Sequence, residues 1–154
     1  MRSIADLVAG TAVFAGLDAA TLDAVAGCGR NVHFDASETI VQAGAPAEHF
    51  WILRRGRVDI SISAMPSETT TITRLGPGDL LGASWVAAPY RVVFDASAVE
   101  PTDAVEFDAS CLRARCEEDH TLGFVLYRNV AAVMRNRLHA ARMQLLDLCD
   151  ARDG

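Results

Sequence analysis

The sequence predicts an α+β fold in which a small β-barrel or jelly roll is flanked by N-terminal helices and a long C-terminal helix. Three observations support this prediction. Apolar residues recur with helical spacing in residues 3–29, alternate with a period of two in residues 30–108, and return to helical spacing in residues 110–149. Gly and Pro separate the alternating segments, as in small β-barrels. The length of 154 residues fits a single domain over residues 1–154.

The first segment predicts short helices before the barrel begins. Leu7 and its apolar neighbours start one stripe with helical spacing. Asp18 is well placed to cap a second helix that carries Val25, because an Asp side chain accepts hydrogen bonds from the first free amides of a helix. Gly27 or Gly29 is expected to end that helix.

The middle segment predicts several short strands separated by tight turns. Val32 and Phe34 alternate with polar neighbours, residues 50–53 form a continuous apolar run, and residues 69–74 are rich in β-branched side chains. Such strands, closely spaced, argue for a barrel rather than an open sheet. Further strands are predicted at 39–41 and 58–62, and the turn signals lie at 35–37, 44–46, 56, 66–67 (Pro66 and Ser67) and 76–79.

The last segment predicts a short helix followed by a long one. Ser110 can cap the short helix, and the long helix is expected from about Thr121 to Cys149. The long helix carries apolar residues spaced four and three apart, which is the seam of a coiled coil over about two heptads. That face either packs on the barrel or binds a protein partner or a second copy. The seam consists of Met134, Leu138, Ala141, Leu145 and Leu148.

The charge composition disfavours nucleic acid as a partner. All 14 basic residues are Arg, there are 20 acidic residues, and the formal net charge is −6. Domains that bind nucleic acid are usually strongly basic. The chain also ends five residues after Cys149, too soon for a helix-turn-helix beyond the long helix. We therefore expect no direct DNA binding.

Membrane and secreted classes are also disfavoured. No apolar stretch approaches the roughly 18 residues that span a bilayer, and the N-terminus, with Asp6, does not read as a signal peptide. We therefore expect a cytoplasmic protein without membrane contact. In that reducing compartment, Cys28, Cys111, Cys116 and Cys149 are expected as free thiols.

No catalytic or metal-binding motif is present in the sequence. G-x-S-x-G is absent, a phosphate-binding loop of the G-K-[ST] type is impossible without Lys, and the four His show no metal-ligand spacing. We therefore predict a protein that is not an enzyme and holds no metal.

Two stretches resemble a known family: Glu38–Gly44, which continues to Phe50–Val58, and Leu75–Gly82. Their order and spacing are similar to those of the cyclic-nucleotide-binding domain family, including the sensory half of catabolite-activator-type bacterial regulators. The resemblance covers nearly the whole chain. It implies the barrel fold described above, with Gly44 and Gly56 in tight turns where a residue without a Cβ takes positive φ. It also implies a cyclic nucleotide or another phosphate-bearing ligand.

The phosphate-binding cassette that this resemblance implies is degenerate here. In the family a Gly-Glu pair is followed by a one-turn helix and then by Arg; the Glu accepts from the ribose and the Arg binds the phosphate. We call residues 82–95 the cassette. Ala83 stands where the Glu is expected, and Val92 stands where counting back from the next strand places the Arg, while Arg91 lies one place earlier. One place reverses the face of a side chain in a strand, unless a bulge absorbs the slip.

Three interpretations of the cassette follow. Arg91 binds a phosphate together with backbone amides of residues 82–85, with an aromatic side chain stacked on a base; the barrel takes an apolar or otherwise different ligand; or Trp85 and Phe94 fill the site and the domain is a binding or structural module. The candidate ligand-binding residues are Gly82, Ala83, Ser84, Trp85, Tyr90, Arg91, Val92, Phe94 and Asp95.

The sequence as a whole predicts a non-enzymatic regulatory or accessory module with atypical or lost ligand binding. Pro89-Tyr90-Arg91 and Phe94-Asp95-Ala96 also resemble stand-alone bacterial members encoded beside subunits of multi-component redox enzymes. That resemblance implies a structural accessory subunit as one alternative. A genuine cyclic-nucleotide sensor that signals through a protein partner is the other.

Overall fold

A computed structural model describes residues 2–65 and 68–153 of the chain. Two antiparallel sheets form the barrel, with helices before and after them, so the predicted α+β class is confirmed. The predicted turn at Pro66 and Ser67 lies outside the described residues. The helices are α1 (Ile4–Ala9), α2 (Ala19–Ala26), α3 (Ala109–Glu118) and α4 (His120–Asp153). The strands are β1 (Gly29–Phe34), β2 (Thr39–Val41), β3 (His49–Arg55), β4 (Val58–Met65), β5 (Glu68–Leu75), β6 (Leu80–Leu81), β7 (Asp95–Ala98) and β8 (Thr102–Asp108).

The two sheets enclose one apolar core and the helices cover a second. The strand orders are β1-β8-β3-β6 and β2-β7-β4-β5. Leu53 of β3 packs with Val58 and Ile60 of β4 inside the barrel. Phe50 and Ile52 point to the opposite face, where they join the core under the helices. Because β3 is buried on both faces, its sequence is a continuous apolar run rather than an alternating one.

Side-chain caps fix where the helices begin. The Asp18 carboxylate accepts a hydrogen bond from the Thr21 amide at 2.8 Å, which confirms the predicted cap of α2. The expected cap of α3 is wrong by two residues. Asp108, not Ser110, accepts from the Cys111 amide at 2.9 Å. Asp108 is the last residue of β8, so the strand passes directly into the helix.

Two glycines make barrel turns that other residues would strain. Gly44 and Gly56 have φ of 91° and 98°, which confirms the positive φ expected at both. A Cβ on Gly56 would lie 2.4 Å from Oγ1 of Thr102 and 2.7 Å from the carbonyl oxygen of Pro101. Gly44 faces open space.

Helix α4 has two halves with different surroundings. In the proximal half (residues 120–137), Leu122, Leu126 and Val130 are buried. Asn129 also donates hydrogen bonds to backbone carbonyls before α2, at 2.8 and 2.9 Å. The distal half (residues 138–152) is exposed along its whole length.

The seam predicted on the long helix is divided between these two halves. Met134 is half-buried against the core, whereas the other four seam residues are exposed. Packing on the barrel is therefore wrong for Leu138, Ala141, Leu145 and Leu148.

Cys28 and Cys111 form a disulfide, with a Cα–Cα distance of 5.8 Å. The expectation of free thiols is wrong for this pair, which are 83 positions apart in sequence. The barrel fold brings together the residue before β1 and the first turn of α3, a proximity that the sequence spacing does not indicate. Cys116 and Cys149 are free, as predicted.

Candidate functional site

The cassette connects β6 to β7 and lies between the barrel and the helices. Gly82 starts it with φ of 98°, a conformation that a residue with a Cβ rarely adopts. A short 3-10 turn, Ser84–Val86, follows, where the resemblance implied a one-turn helix. Ala83 precedes this turn and packs on the core under the helices. It offers no carboxylate to a ribose hydroxyl.

Trp85 is a core residue in this structure. It is fully buried, and its ring stacks on Phe50 with a centroid distance of 4.5 Å. Tyr127 of α4 meets the same ring edge-on at 5.9 Å. The Trp85 Nε1 atom has no hydrogen-bond partner among the described residues. The indole therefore joins the cassette to the barrel on one side and to α4 on the other.

The second half of the cassette turns Arg91 outward and Val92 inward. The amide of Val92 donates to the carbonyl of Ala45 at 2.9 Å, and its side chain is only 8% exposed. Arg91 is exposed, with Nη1 3.5 Å from the carbonyl oxygen of Gly44. Val93 is again exposed, at 72%. This alternation of exposed and buried side chains places the Arg91 guanidinium outside.

The remaining cassette residues have other neighbours. Tyr90 is exposed, has φ of 55°, and carries the Arg113 guanidinium over its ring at 4.4 Å. Phe94 is half-buried between the two apolar cores. The Asp95 carboxylate accepts from the Ala43 amide at 2.8 Å, so this oxygen holds the β2–β7 region together.

The clefts on the described residues lie mainly outside the cassette. Five of them have volumes from about 270 to 500 Å³. Tyr90 lines two, of about 350 and 470 Å³, and is the one predicted site residue in the five linings. The structure thus brings Gly82 to Trp85 together, buries Val92 and leaves Phe94 half-buried. It leaves Arg91 apart from them, on the surface.

Four residues that hold the cassette or its first neighbour carry no signal in the sequence. Arg113 of α3 donates to the Trp85 carbonyl oxygen at 2.9 Å, and Phe50 and Tyr127 contact the indole. Arg137 of α4 donates to the carbonyl oxygen of Leu80, just before the cassette, and burial lowers the pKa of its guanidinium. These contacts join residues that are 28 to 57 positions apart in sequence, so no local sequence pattern predicts them.

A buried carboxylate lies on β8, away from the cassette. Glu106 accepts hydrogen bonds from Arg30 at 2.6 and 2.9 Å and from Nε1 of Trp51 at 3.0 Å. Its charge is therefore paired. Among residues 2–65 and 68–153, no group of three or more His, Cys, Asp or Glu side chains could hold a metal ion. Within the same ranges, no helix is both long enough and apolar enough to cross a bilayer.

Two antiparallel sheets, a cassette after β6 and the long helix α4 define a barrel domain flanked by helices. The family model described as the cyclic nucleotide-binding domain matches residues 31–119. The chain belongs to the cyclic nucleotide-binding domain family.

Curated relatives and solved structures agree with this assignment. The chain is 24% identical over 143 residues to a CRP-like cAMP-activated global transcriptional regulator of Mycobacterium tuberculosis, covering 93% of this chain and 62% of the regulator. It therefore spans less than two thirds of that relative. A candidate cyclic nucleotide-binding protein from Geobacter metallireducens GS-15 is 29% identical with a TM-score of 0.79, covering 90% of this chain and all of the other. A cyclic nucleotide-binding domain from Methylobacillus flagellatus KT shares the fold, with a TM-score of 0.80 at 14% identity, covering 94% of this chain and 82% of the other.

Proposed function

We propose that this chain is a non-enzymatic regulatory or accessory module that has lost the cyclic nucleotide contact of its barrel and acts through protein contacts of α4. The observation that carries the proposal is the register of the cassette. Val92 is buried where the family pattern has Arg, and Arg91 points to solvent. A phosphate entering the barrel would meet an apolar side chain there.

The two missing contacts would contribute enough binding free energy that their loss abolishes useful affinity for a cyclic nucleotide. A hydrogen bond to a charged group contributes about 1.5–3 kcal/mol. Losing both the carboxylate at Ala83 and the guanidinium at Val92 therefore costs about 3–6 kcal/mol, or roughly two to four orders of magnitude in Kd. Trp85 and Phe94, which pack into the cores, support the same conclusion.

If a ligand did bind, we expect it to contact the candidate site residues of the cassette. A phosphate-bearing ligand would lie against Gly82, Ala83 and Ser84, and Arg91 would have to leave the Gly44 carbonyl to reach it. Calorimetric titration with cyclic AMP, cyclic GMP and ATP tests this. We expect no binding heat from the wild-type protein or from Arg91→Ala.

Arg57→Ala provides the matched control for that titration, because Arg57 is also an exposed arginine but lies outside the cassette. Saturable heat with one of the three nucleotides in wild type and Arg57→Ala, lost in Arg91→Ala, would overturn the proposal. That result would instead establish a nucleotide sensor with an atypical phosphate contact.

The protein contact is assigned to the distal half of α4, and a second copy of the chain is the partner we propose. The helix extends about 22 Å beyond Arg137, at 1.5 Å per residue. Leu138, Leu145 and Leu148 are more than half exposed. Four of the five seam residues lie on this half, and an a/d seam is the pattern that pairs helices in a coiled coil.

Sedimentation of wild type, Leu138→Asp/Leu145→Asp and Gln144→Glu tests the self-association. We expect concentration-dependent dimers for wild type and for Gln144→Glu, which changes an exposed position off the seam, and monomers for the double variant. A wild-type protein that stays monomeric would exclude the second copy as partner. The proposal also includes a cytoplasmic location and no direct DNA contact, in line with the negative net charge.

A further inference from the structure

The Cys28–Cys111 disulfide joins two parts of the molecule that the backbone already holds in place. The Asp108 amide donates to the Cys28 carbonyl at 2.9 Å, and the Asp108 carboxylate caps the Cys111 amide. Their Cα distance of 5.8 Å lies in the ordinary range for disulfides. Because backbone contacts set this distance, the two sulfurs stay close when the bond is broken, and the bond can form again.

Arg115 gives the pair an asymmetric chemical environment. Its Nε–H lies 3.4 Å from Sγ of Cys28 and donates to it. A cation beside a cysteine stabilises the thiolate, which is the form that leaves in thiol–disulfide exchange. Cys111 lies in the first turn of α3, where the helix amides favour a thiolate, but the adjacent Asp108 carboxylate opposes that effect. Cys28 is therefore the better leaving sulfur.

A small reagent can reach the bond. Both cysteines line a cleft of about 500 Å³ together with Arg30, His49 and Glu106. Cys28 is buried and Cys111 is half-buried, so an incoming thiolate meets Cys111 first. The two free thiols differ: burial raises the pKa of Cys116, and Cys149 lies on the exposed half of α4.

We propose that Cys28 and Cys111 form a reversible thiol–disulfide site that low-molecular-weight thiols open. The first thiolate attacks Sγ of Cys111, the S–S bond breaks, and Cys28 leaves as a thiolate beside Arg115. A second thiolate attacks the mixed disulfide and releases Cys111 with one molecule of oxidised reagent. The two electrons pass from the reagent pair to the protein, and the reverse sequence with the oxidised reagent restores the bond. In the cytoplasmic location proposed above, disulfides are usually redox-active rather than structural.

Reduction removes the covalent tie at the start of α3 but leaves the two Asp108 hydrogen bonds there, so the average position of this helix, which supports the cassette, is kept while local opening becomes more frequent. Arg113 of α3 binds the Trp85 carbonyl and covers Tyr90. Asp119 continues from α3 into α4, where its carboxylate caps the first turn by accepting from Thr121 and Leu122 at 3.1 and 3.2 Å. We therefore expect reduction to loosen residues 109–118 and 82–90, while the barrel strands β4 and β5 stay protected.

Glutathione buffers of graded thiol-to-disulfide ratio test the site on the full chain. Maleimide labelling in denaturant, with peptide mapping, should count two free cysteines in the oxidised protein and four in the reduced protein, with full return on reoxidation. Hydrogen exchange should rise on reduction at residues 109–118 and 82–90. The Cys149→Ser variant should carry one label fewer in both states, while the difference of two labels between the oxidised and reduced protein should remain.

Variants of the pair separate the redox site from simple folding defects. Cys111→Ser should exchange like the reduced wild type in every buffer. If it fails to fold, Arg115→Gln serves instead: the variant removes the cation that stabilises the departing Cys28 thiolate, so reduction should be slower than in wild type. Four labelled cysteines in every buffer, or identical hydrogen exchange in both states, would overturn the inference. Neither readout involves a nucleotide, so its failure is distinguishable from failure of the proposed function.

Discussion

The barrel turns and the cassette differ in how closely they match the family pattern. The turns have the expected glycines, whereas the cassette lacks the expected charged residues. Gly44, Gly56 and Gly82 are all present, each with φ above 90°. The cassette has Ala83 and Val92 where the family pattern has charged side chains. Backbone geometry constrains the first set whether or not a ligand binds, whereas only a ligand requires the second. The fold therefore does not depend on the charged cassette contacts, which we propose that this chain has lost.

Trp85→Ala and Arg91→Ala give the largest contrast within the cassette. If the cassette is part of the core, removing the buried indole costs about 3–5 kcal/mol of unfolding free energy. Removing the exposed Arg91 side chain costs less than about 0.5 kcal/mol. Urea denaturation of both variants measures the difference. Equal costs would contradict the packing of the cassette described here.

Gly56→Ala and Gly44→Ala test the turns in the same way. Both substitutions strain a left-handed backbone, but only the Cβ at Gly56 would collide, at 2.4 Å from Thr102. We expect about 2–4 kcal/mol of destabilisation at Gly56, from strain and overpacking together, and about 1 kcal/mol at Gly44, from strain alone. Thermal and urea unfolding check the order. A larger loss at Gly44 would show that contact with Thr102 does not set the requirement.

A smaller effect is expected at the surface of the first sheet, from His33 and Asp103. Their side chains are hydrogen-bonded at 2.7 Å, and this bond raises the pKa of His33 above 6.5. The same bond, with Arg55 nearby, lowers the pKa of Asp103 below 3.8. The His33 contribution is present below its unfolded pKa and is lost as pH rises through the folded value. The Asp103 contribution is present above its unfolded pKa and is lost as pH falls through the folded value.

The pair therefore stabilises the fold most between about pH 4 and pH 6.5. His33→Asn should lose more stability at about pH 5.5 than at about pH 8. Urea midpoints of wild type and variant at the two pH values measure this. If the urea midpoints of wild type and His33→Asn differ by the same amount at both pH values, the ion pair is excluded as the source of the destabilisation.

The fold could be predicted from the sequence because local patterns record it. Alternation in β1, the apolar run of β3 and the Asp18 cap each depend on neighbours a few residues apart. Some strand and helix ends differ from the predicted ones by a few residues. At α3, for example, the cap is Asp108, which accepts from the Cys111 amide, and not Ser110.

The cassette could be located from the sequence but its interior could not. The substitution at Ala83 and the slip at Arg91 were visible, yet the orientation of Arg91 depends on pairing with the segment 44–46. The partners of Trp85 lie on β3, α3 and α4, which are distant in sequence. The disulfide was missed for the same reason, because only the closed barrel brings Cys28 beside Cys111.

The two tryptophans of the chain provide the most direct test of the cassette. Trp85 Nε1 lies in the cassette, while Trp51 Nε1 donates to Glu106 of β8 at 3.0 Å, away from the cassette, and serves as an internal control. The measurement is a titration of ¹⁵N-labelled protein with cyclic AMP and with cyclic GMP, following the two indole N–H signals. We predict that neither signal moves. A saturable shift of the Trp85 signal, with that of Trp51 unchanged, would contradict the loss of the cyclic nucleotide contact.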